Sequence, residues 1–131
     1  MTETRQKELF DLWLKAAKHD LRWAEGSLKL KEYAGVCFLS QQVVEKSLKA
    51  FLYLKGEEQR KVHDLDNLLS LTIKYDKSFE KFIQATSTLS AYYLSTRYPD
   101  IGDVDVFDKK ELADQALIWA GEIFDFVNSF Q

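Results

Sequence analysis

Scarcity is the first feature of this 131-residue chain, which has one cysteine, one proline and five glycines. A lone Cys37 cannot close an internal disulfide and cannot build a metal site from several thiolates. So few turn formers exclude a sandwich or barrel with many hairpins. The glycines, at positions 26, 35, 56, 102 and 121, never take the spacing of a Walker or dinucleotide phosphate loop, so any nucleotide has to be held by side chains or helix ends. The longest apolar run, residues 34–39, falls far short of the ~20 residues needed to cross a bilayer, and the polar start at Thr2, Glu3, Thr4 and Arg5 resembles no signal peptide. These features predict a cytoplasmic protein that does not enter the membrane. With 18 basic and 21 acidic side chains the net charge is −3, which excludes a global basic excess of the kind that drives nonspecific phosphate-backbone binding but leaves a local basic patch open.

What the chain does contain is helical rhythm. Phe10, Trp13, Ala17, Leu21, Ala24 and Leu28 alternate steps of three and four, which puts them on one face of a helix over about residues 4–28. A second segment, carrying Val36, Cys37, Leu39, Val43, Val44, Leu48, Phe51 and Leu52, predicts the most buried helix, stopped by Gly56. The polar stretch 57–61 is expected to be a loop. Asp64 is placed to cap a short third helix bearing Leu65, Leu68, Leu69 and Ile73, and Ser78 a fourth that Pro99 ends. Asp108 and Glu111 are spaced as a capping box for a fifth, with Leu112, Ala116, Trp119, Ile123, Val127 and Phe130 facing inward. The fold class is therefore all-α: an up-and-down antiparallel bundle of four main helices plus one short one, in a single domain over residues 1–131. Tyr92, Phe124 and Phe126 fall beside these stripes and are expected on a partner surface, which points to a homodimer.

Few residues offer chemistry. A serine or cysteine nucleophile needs a nearby base, and the histidines are His19 and His63 alone. Cys37, on an apolar face, reads as a packed thiol. Asp100, Asp103, Asp105 and Asp108 fail the EF-hand pattern, with Val104 and Phe107 where oxygen ligands belong, so no metal and no cofactor is expected. Glu45 and Lys49 suit a helix-surface pair. Gln41 lies on the apolar side, and its amide needs a partner on another helix, in a ligand or across a dimer. Arg97 lies on an inward stripe, where a guanidinium needs either an ion pair, for which Asp20 is available, or an anionic ligand. His63 and Asp64 either cap the third helix or contribute to a site.

Four blocks in order, residues 13–24 with Ala17 and Asp20, 38–52 with Gln41, Gln42, Glu45, Lys46, Lys49 and Ala50, 63–65, and 97–100, resemble the HEPN family of small helical proteins. The resemblance implies a bundle of about five helices, a homodimer, and pairing with a small nucleotidyltransferase in toxin–antitoxin arrangements. Many HEPN proteins are metal-independent ribonucleases marked by an arginine followed, after four to six residues, by a histidine. Here Arg60 precedes His63 by two intervening residues and no histidine follows Arg97, so the usual pair is missing. The resemblance then implies a noncatalytic dimeric module binding a nucleotide or its nucleotidyltransferase partner, with Arg97 on phosphate, Tyr98 stacked on a base, Lys46 adding charge and His63 donating a hydrogen bond. Asp20, Gln41 and Asp100 are structural polar residues in this reading. The alternative is a ribonuclease toxin acting on single-stranded RNA through His63 and Arg97.

Overall fold

A computed structural model describes residues 1–58, 64–100 and 102–131, apart from the side chains of Thr96 and Arg97. Among these residues there are five α-helices and no strand: α1 (Glu3–Lys29), α2 (Tyr33–Leu54), α3 (Leu65–Tyr75), α4 (Ile83–Arg97) and α5 (Lys110–Asn128). Short 3₁₀ segments, Lys77–Phe82 and Val104–Phe107, precede α4 and α5.

The four main helices alternate in direction. Trp13 stacks near Tyr53 with ring centroids 5.9 Å apart, and Asp20 meets Lys46, so α1 and α2 are antiparallel. Phe107 contacts both Tyr92 and Cys37 at the start of α2, while Phe82 meets Phe126 at the far end, so α4 also opposes α2. α5 begins beside Ala34 and ends with Phe130 against Phe51, parallel to α2. α2 touches every other helix, and its buried set runs from Val36 to Leu52. The up-and-down bundle expected from the apolar rhythm is therefore present.

The ends of the elements explain why the chain turns where it does. After α2, the Gly56 N–H donates to Tyr53 and the Glu57 N–H to Leu52, a Schellman motif with Gly56 at φ 78°. After α1 the same motif recurs with Lys31 at φ 61°, a position that favours glycine. Asp64 caps α3 by accepting from the Asp66 N–H at 3.0 Å, as the sequence suggests.

Other boundaries depart from the sequence reading. Asp76, not Ser78, makes the cap before α4: its carboxylate accepts from the Ser78 N–H, which holds the acid below its usual pKa. The proposed box of Asp108 and Glu111 does not form at α5, whose N-cap is Lys109. Asp108 instead accepts from the Ala34 N–H at 3.3 Å, across the bundle, and so serves α2, whose own N-cap Glu32 makes no side-chain cap bond. Chain separation hides that contact from any local pattern.

The aromatics expected outside the core are largely inside it. Tyr92 is 3% exposed and Phe124 8%. Phe126 joins Phe51, Phe79, Phe82 and Phe130 in a cluster at the end of the bundle, where Phe51 and Phe79 lie 4.6 Å apart and Phe79 and Phe126 5.0 Å in a T-shape. Such pairs contribute roughly 0.5–1.5 kcal/mol each beyond their buried area. The inward stripe of α5 is shifted accordingly, to Ala113, Ala116, Ala120, Ile123, Phe124 and Val127. Small residues there let α5 lie close against α2.

Candidate functional site

The polar residues of α2 form a row on its most buried stretch. Gln41, Glu45 and Lys49 are four residues apart, on one face, and each is at most 5% exposed. An ion pair in that setting needs close geometry and further hydrogen bonds, because taking charges out of water is expensive. The row supplies both close geometry and hydrogen bonds. Lys49 Nζ donates to Glu45 Oε2 at 3.2 Å, and Gln41 Nε2 donates to Glu45 Oε1 at 3.4 Å. Gln42 Nε2 donates to Gln41 Oε1 at 2.7 Å, and the Lys49 ammonium sits 5.3 Å from the centre of the Trp13 ring. Gln41 thus takes its described partners from its own helix, correcting the expectation of a bond to another one. Glu45 and Lys49, read from spacing as a surface pair, are an interior one.

Next to this row, at the rim of the seam between α1 and α2, Lys46 Nζ donates to Asp20 Oδ2 at 2.6 Å. The two side chains are 26% and 13% exposed, so the pair is shielded yet reachable from solvent. Asp20, offered by the sequence as a companion for Arg97, has Lys46 as its described partner. Arg97 is the last residue of α4, and its side chain lies outside the described set, as does the whole of His63. Tyr98 is the C-cap of α4 and is 47% exposed, with its N–H donating to the Leu94 carbonyl. Asp100 is exposed in the turn that follows. Of the candidate residues, then, the structure joins Lys46 to Asp20 and leaves Tyr98 open at the end of the bundle where α2 begins.

Cys37 is fully buried, and its thiol is pushed from 9.0 up to about 11, first by burial and then by the Asp108 carboxylate, against a hydrogen bond with Tyr92 that favours the thiolate. Burial, together with the neighbouring thiol, lifts Tyr92 to about 12. This is an inert thiol rather than a nucleophile. Asp103 caps the 3₁₀ turn at Asp105 and Asp108 caps α2, so two of the four loop aspartates hold the fold's own N–H groups. Among the described residues, no three His, Cys, Asp or Glu are grouped to hold a metal ion, and no helix is long and apolar enough to cross a membrane. Two open grooves of about 660 and 640 Å³ flank α5, one toward α4 with Phe82 and Trp119, the other toward α1 with Leu21 and Ile118. Neither includes Lys46, Tyr98 or Asp20.

Comparison with known proteins places this geometry in a family. The HEPN domain model matches residues 10–130. The chain belongs to the HEPN domain family. Among solved structures, the protein TT1696 from Thermus thermophilus is 34% identical, with a TM-score of 0.83 over 92% of this chain and 96% of that one. ST0689, described as an archaeal HEPN homologue, is 29% identical, with a TM-score of 0.75 over 92% of this chain and 95% of its own. No curated protein sequence matches. The α2 row was visible in the HEPN sequence only as residue types in order; that Gln41, Glu45 and Lys49 bond along one buried face, while Lys46 turns to α1, required the fold.

Proposed function

We propose that this HEPN chain is a noncatalytic binding module that works as two copies and engages a nucleotide, a small nucleotidyltransferase, or both, in the manner of a toxin–antitoxin pair. The observation that carries the reading is the Asp20–Lys46 pair: a cation fixed by a carboxylate 2.6 Å away, at a rim that solvent reaches. A lysine held in this way is already oriented, and a phosphate can compete for it without reorganising the helix that bears it. Around it, Glu45, Lys49, Gln41 and Gln42 are engaged with one another, which suits a rigid support better than a proton-transfer site. Tyr98, with half its surface open, offers a ring on which a base can stack. Arg97 and His63 complete the proposed contact set as phosphate and hydrogen-bond partners. The arginine–histidine spacing of the ribonuclease members is absent from the sequence, which favours binding over cleavage.

The test begins with the native protein. Mass spectrometry of material released on denaturation identifies any co-purifying nucleotide, and calorimetry measures its rebinding. Lys46→Ala and Tyr98→Ala are expected to weaken binding about 10-fold or more each, with unchanged helical circular dichroism. Metal-independent cleavage of single-stranded RNA, lost in His63→Ala and Arg97→Ala while both remain folded, overturns the reading in favour of a ribonuclease.

A further inference from the structure

α1 carries two apolar faces, and its own bundle uses one. Phe10, Leu14, Ala17 and Ala24 are buried against the core. On the opposite side, Leu12, Ala16, His19, Trp23, Gly26 and Leu30 follow steps of four, three, four, three and four, the a/d repeat of a coiled coil. Leu12 is 57% exposed, Trp23 67% and Leu30 75%, the highest values among the described large apolar side chains. A Cβ placed on Gly26 meets nothing within 4 Å, so no packing within the chain demands glycine there. Glycine in a helix interior costs roughly 0.5–1 kcal/mol relative to alanine.

We infer that this seam is the surface on which two copies of the chain pair, α1 against α1 in antiparallel register, an inference that rests on the two-copy reading above. The choice of occupant comes from the seam itself. Turned end for end about a two-fold axis passing between His19 and Trp23, it matches its own pattern: Leu12 faces Leu30 of the second copy, Ala16 faces Gly26, and His19 faces Trp23. Large meets large and small meets small, and each layer pairs a d position with an a position. An isologous contact has to be self-complementary in this sense, whereas a docking groove for an unrelated helix does not. The small residues let the backbones approach, and the Trp23 rings fill the centre. The seam is about 27 Å long at 1.5 Å per residue. Leu12, Trp23 and Leu30 alone offer on the order of 400 Å² per copy, half of the roughly 800 Å² per partner typical of a stable interface; the flanking stems of α1 extend it.

The flanks give the interface a signature. Trp13, Asp20 and Ser27 follow one edge, on the side of α2, so the two Asp20–Lys46 pairs lie along the same rim of the dimer. Exposed Lys15, Arg22 and Lys29 follow the other, and the two Arg22 side chains meet near the axis. That like-charged edge opposes pairing, so screening it with salt tightens the dimer, the reverse of an interface held by ion pairs.

The test uses the full chain. Light scattering and sedimentation across a dilution series give the dimer Kd. Trp23→Glu is expected to raise that Kd about 30-fold or more with circular dichroism unchanged, and raising salt from about 0.05 to about 0.5 M is expected to lower the wild-type Kd about twofold or more. The pair Ala16→Cys and Gly26→Cys in one chain should yield a covalent dimer on oxidation, while Lys18→Cys with Glu25→Cys, on the charged face, should not. A wild-type dimer that neither responds to Trp23→Glu nor cross-links through 16 and 26 overturns this surface and leaves the two-copy reading standing. A wild-type chain that stays monomeric at about 100 μM overturns both.

Discussion

Replacing Lys49 by methionine removes the ammonium and keeps an unbranched stem against Trp13, so it isolates the charge. Glu45, 4% exposed, then loses the Lys49 ammonium. Stripping one partner from a buried pair costs about 3–5 kcal/mol. The Gln41 amide, 3.4 Å from Glu45 Oε1, remains and limits the loss, since a hydrogen bond to a charged group contributes about 1.5–3 kcal/mol and does not depend on Lys49. The ammonium's contact with the Trp13 ring is worth a further ~1 kcal/mol in this setting. We expect a net loss of about 3 kcal/mol, which for a chain of this size lowers Tm by roughly 10 °C. Adding Glu45→Gln discharges the buried carboxylate while an amide oxygen still accepts from Gln41, and should recover about half of the loss. Urea and thermal melts of the two single variants and the double variant close a thermodynamic cycle, with an expected coupling of about 1.5 kcal/mol or more between the sites. A Lys49→Met protein that melts within about 3 °C of wild type, with no recovery in the double variant, would falsify the view that the Glu45–Lys49 pair is a stabilising interior contact.

Three further outcomes follow from particular contacts. Asp108→Ala is expected to cost about 1 kcal/mol by urea midpoint, with Asp108→Asn retaining most of it; hydrogen exchange should quicken at the Ala34 amide, and faster exchange at the start of α5 instead would restore the local capping box. Cys37 should react with a disulfide reagent no faster than the protein unfolds. Because the unfolded thiol ionises above 9.0 and the folded one near 11, stability should be full below pH 9 and decline as pH rises through that window; Cys37→Ala should flatten the decline, and an unchanged profile in that variant would exclude the thiol as its source. Lys31→Gly relieves a left-handed conformation at φ 61° and should stabilise the protein by about 0.5 kcal/mol after the greater chain entropy of glycine is counted; a lower melting temperature would show that Lys31 makes a contact worth more than its strain.

The helices were legible because an apolar step of three and four records a buried face directly, and α1, α2 and α3 lie where that rhythm puts them. Local caps were legible at Asp64 and Gly56, but at Asp76 the neighbouring Ser78 offered an equally good capping type, and a cap made across the chain was illegible. Asp108 satisfies an N–H 74 positions away in the chain, and nothing in its neighbours distinguishes that task from capping α5. Aromatic positions failed for a related reason. Phe126 falls off the expected stripe of α5, yet it is drawn inward by Phe79 and Phe82, which a helical wheel of α5 alone does not contain. In the candidate site, the residue types of α2 were plain and their pairing was not: spacing favours Glu45 with Lys49 equally on a surface or in a core, and only burial separates the two cases.

The same reasoning locates the surface the bundle does not need. Charges buried on α2 have to be neutralised nearby, and Glu45 with Lys49 does so within the helix, leaving α1 to supply one carboxylate, Asp20, to Lys46. Among the described residues, α1 meets the charges of α2 through Asp20 and Trp13, and its far side is free of them. On a helix meant only for one core, that freedom is filled with lysine and glutamate, as it is along Lys15, Lys18, Arg22 and Glu25. Between those charges and α2, the chain instead places Leu12, Trp23 and Leu30 in open solvent at coiled-coil spacing. Among the described residues the most exposed large apolar side chains thus lie on α1 rather than among the α4 and α5 aromatics the sequence singled out, and it is their heptad spacing, not the aromatic count, that marks them.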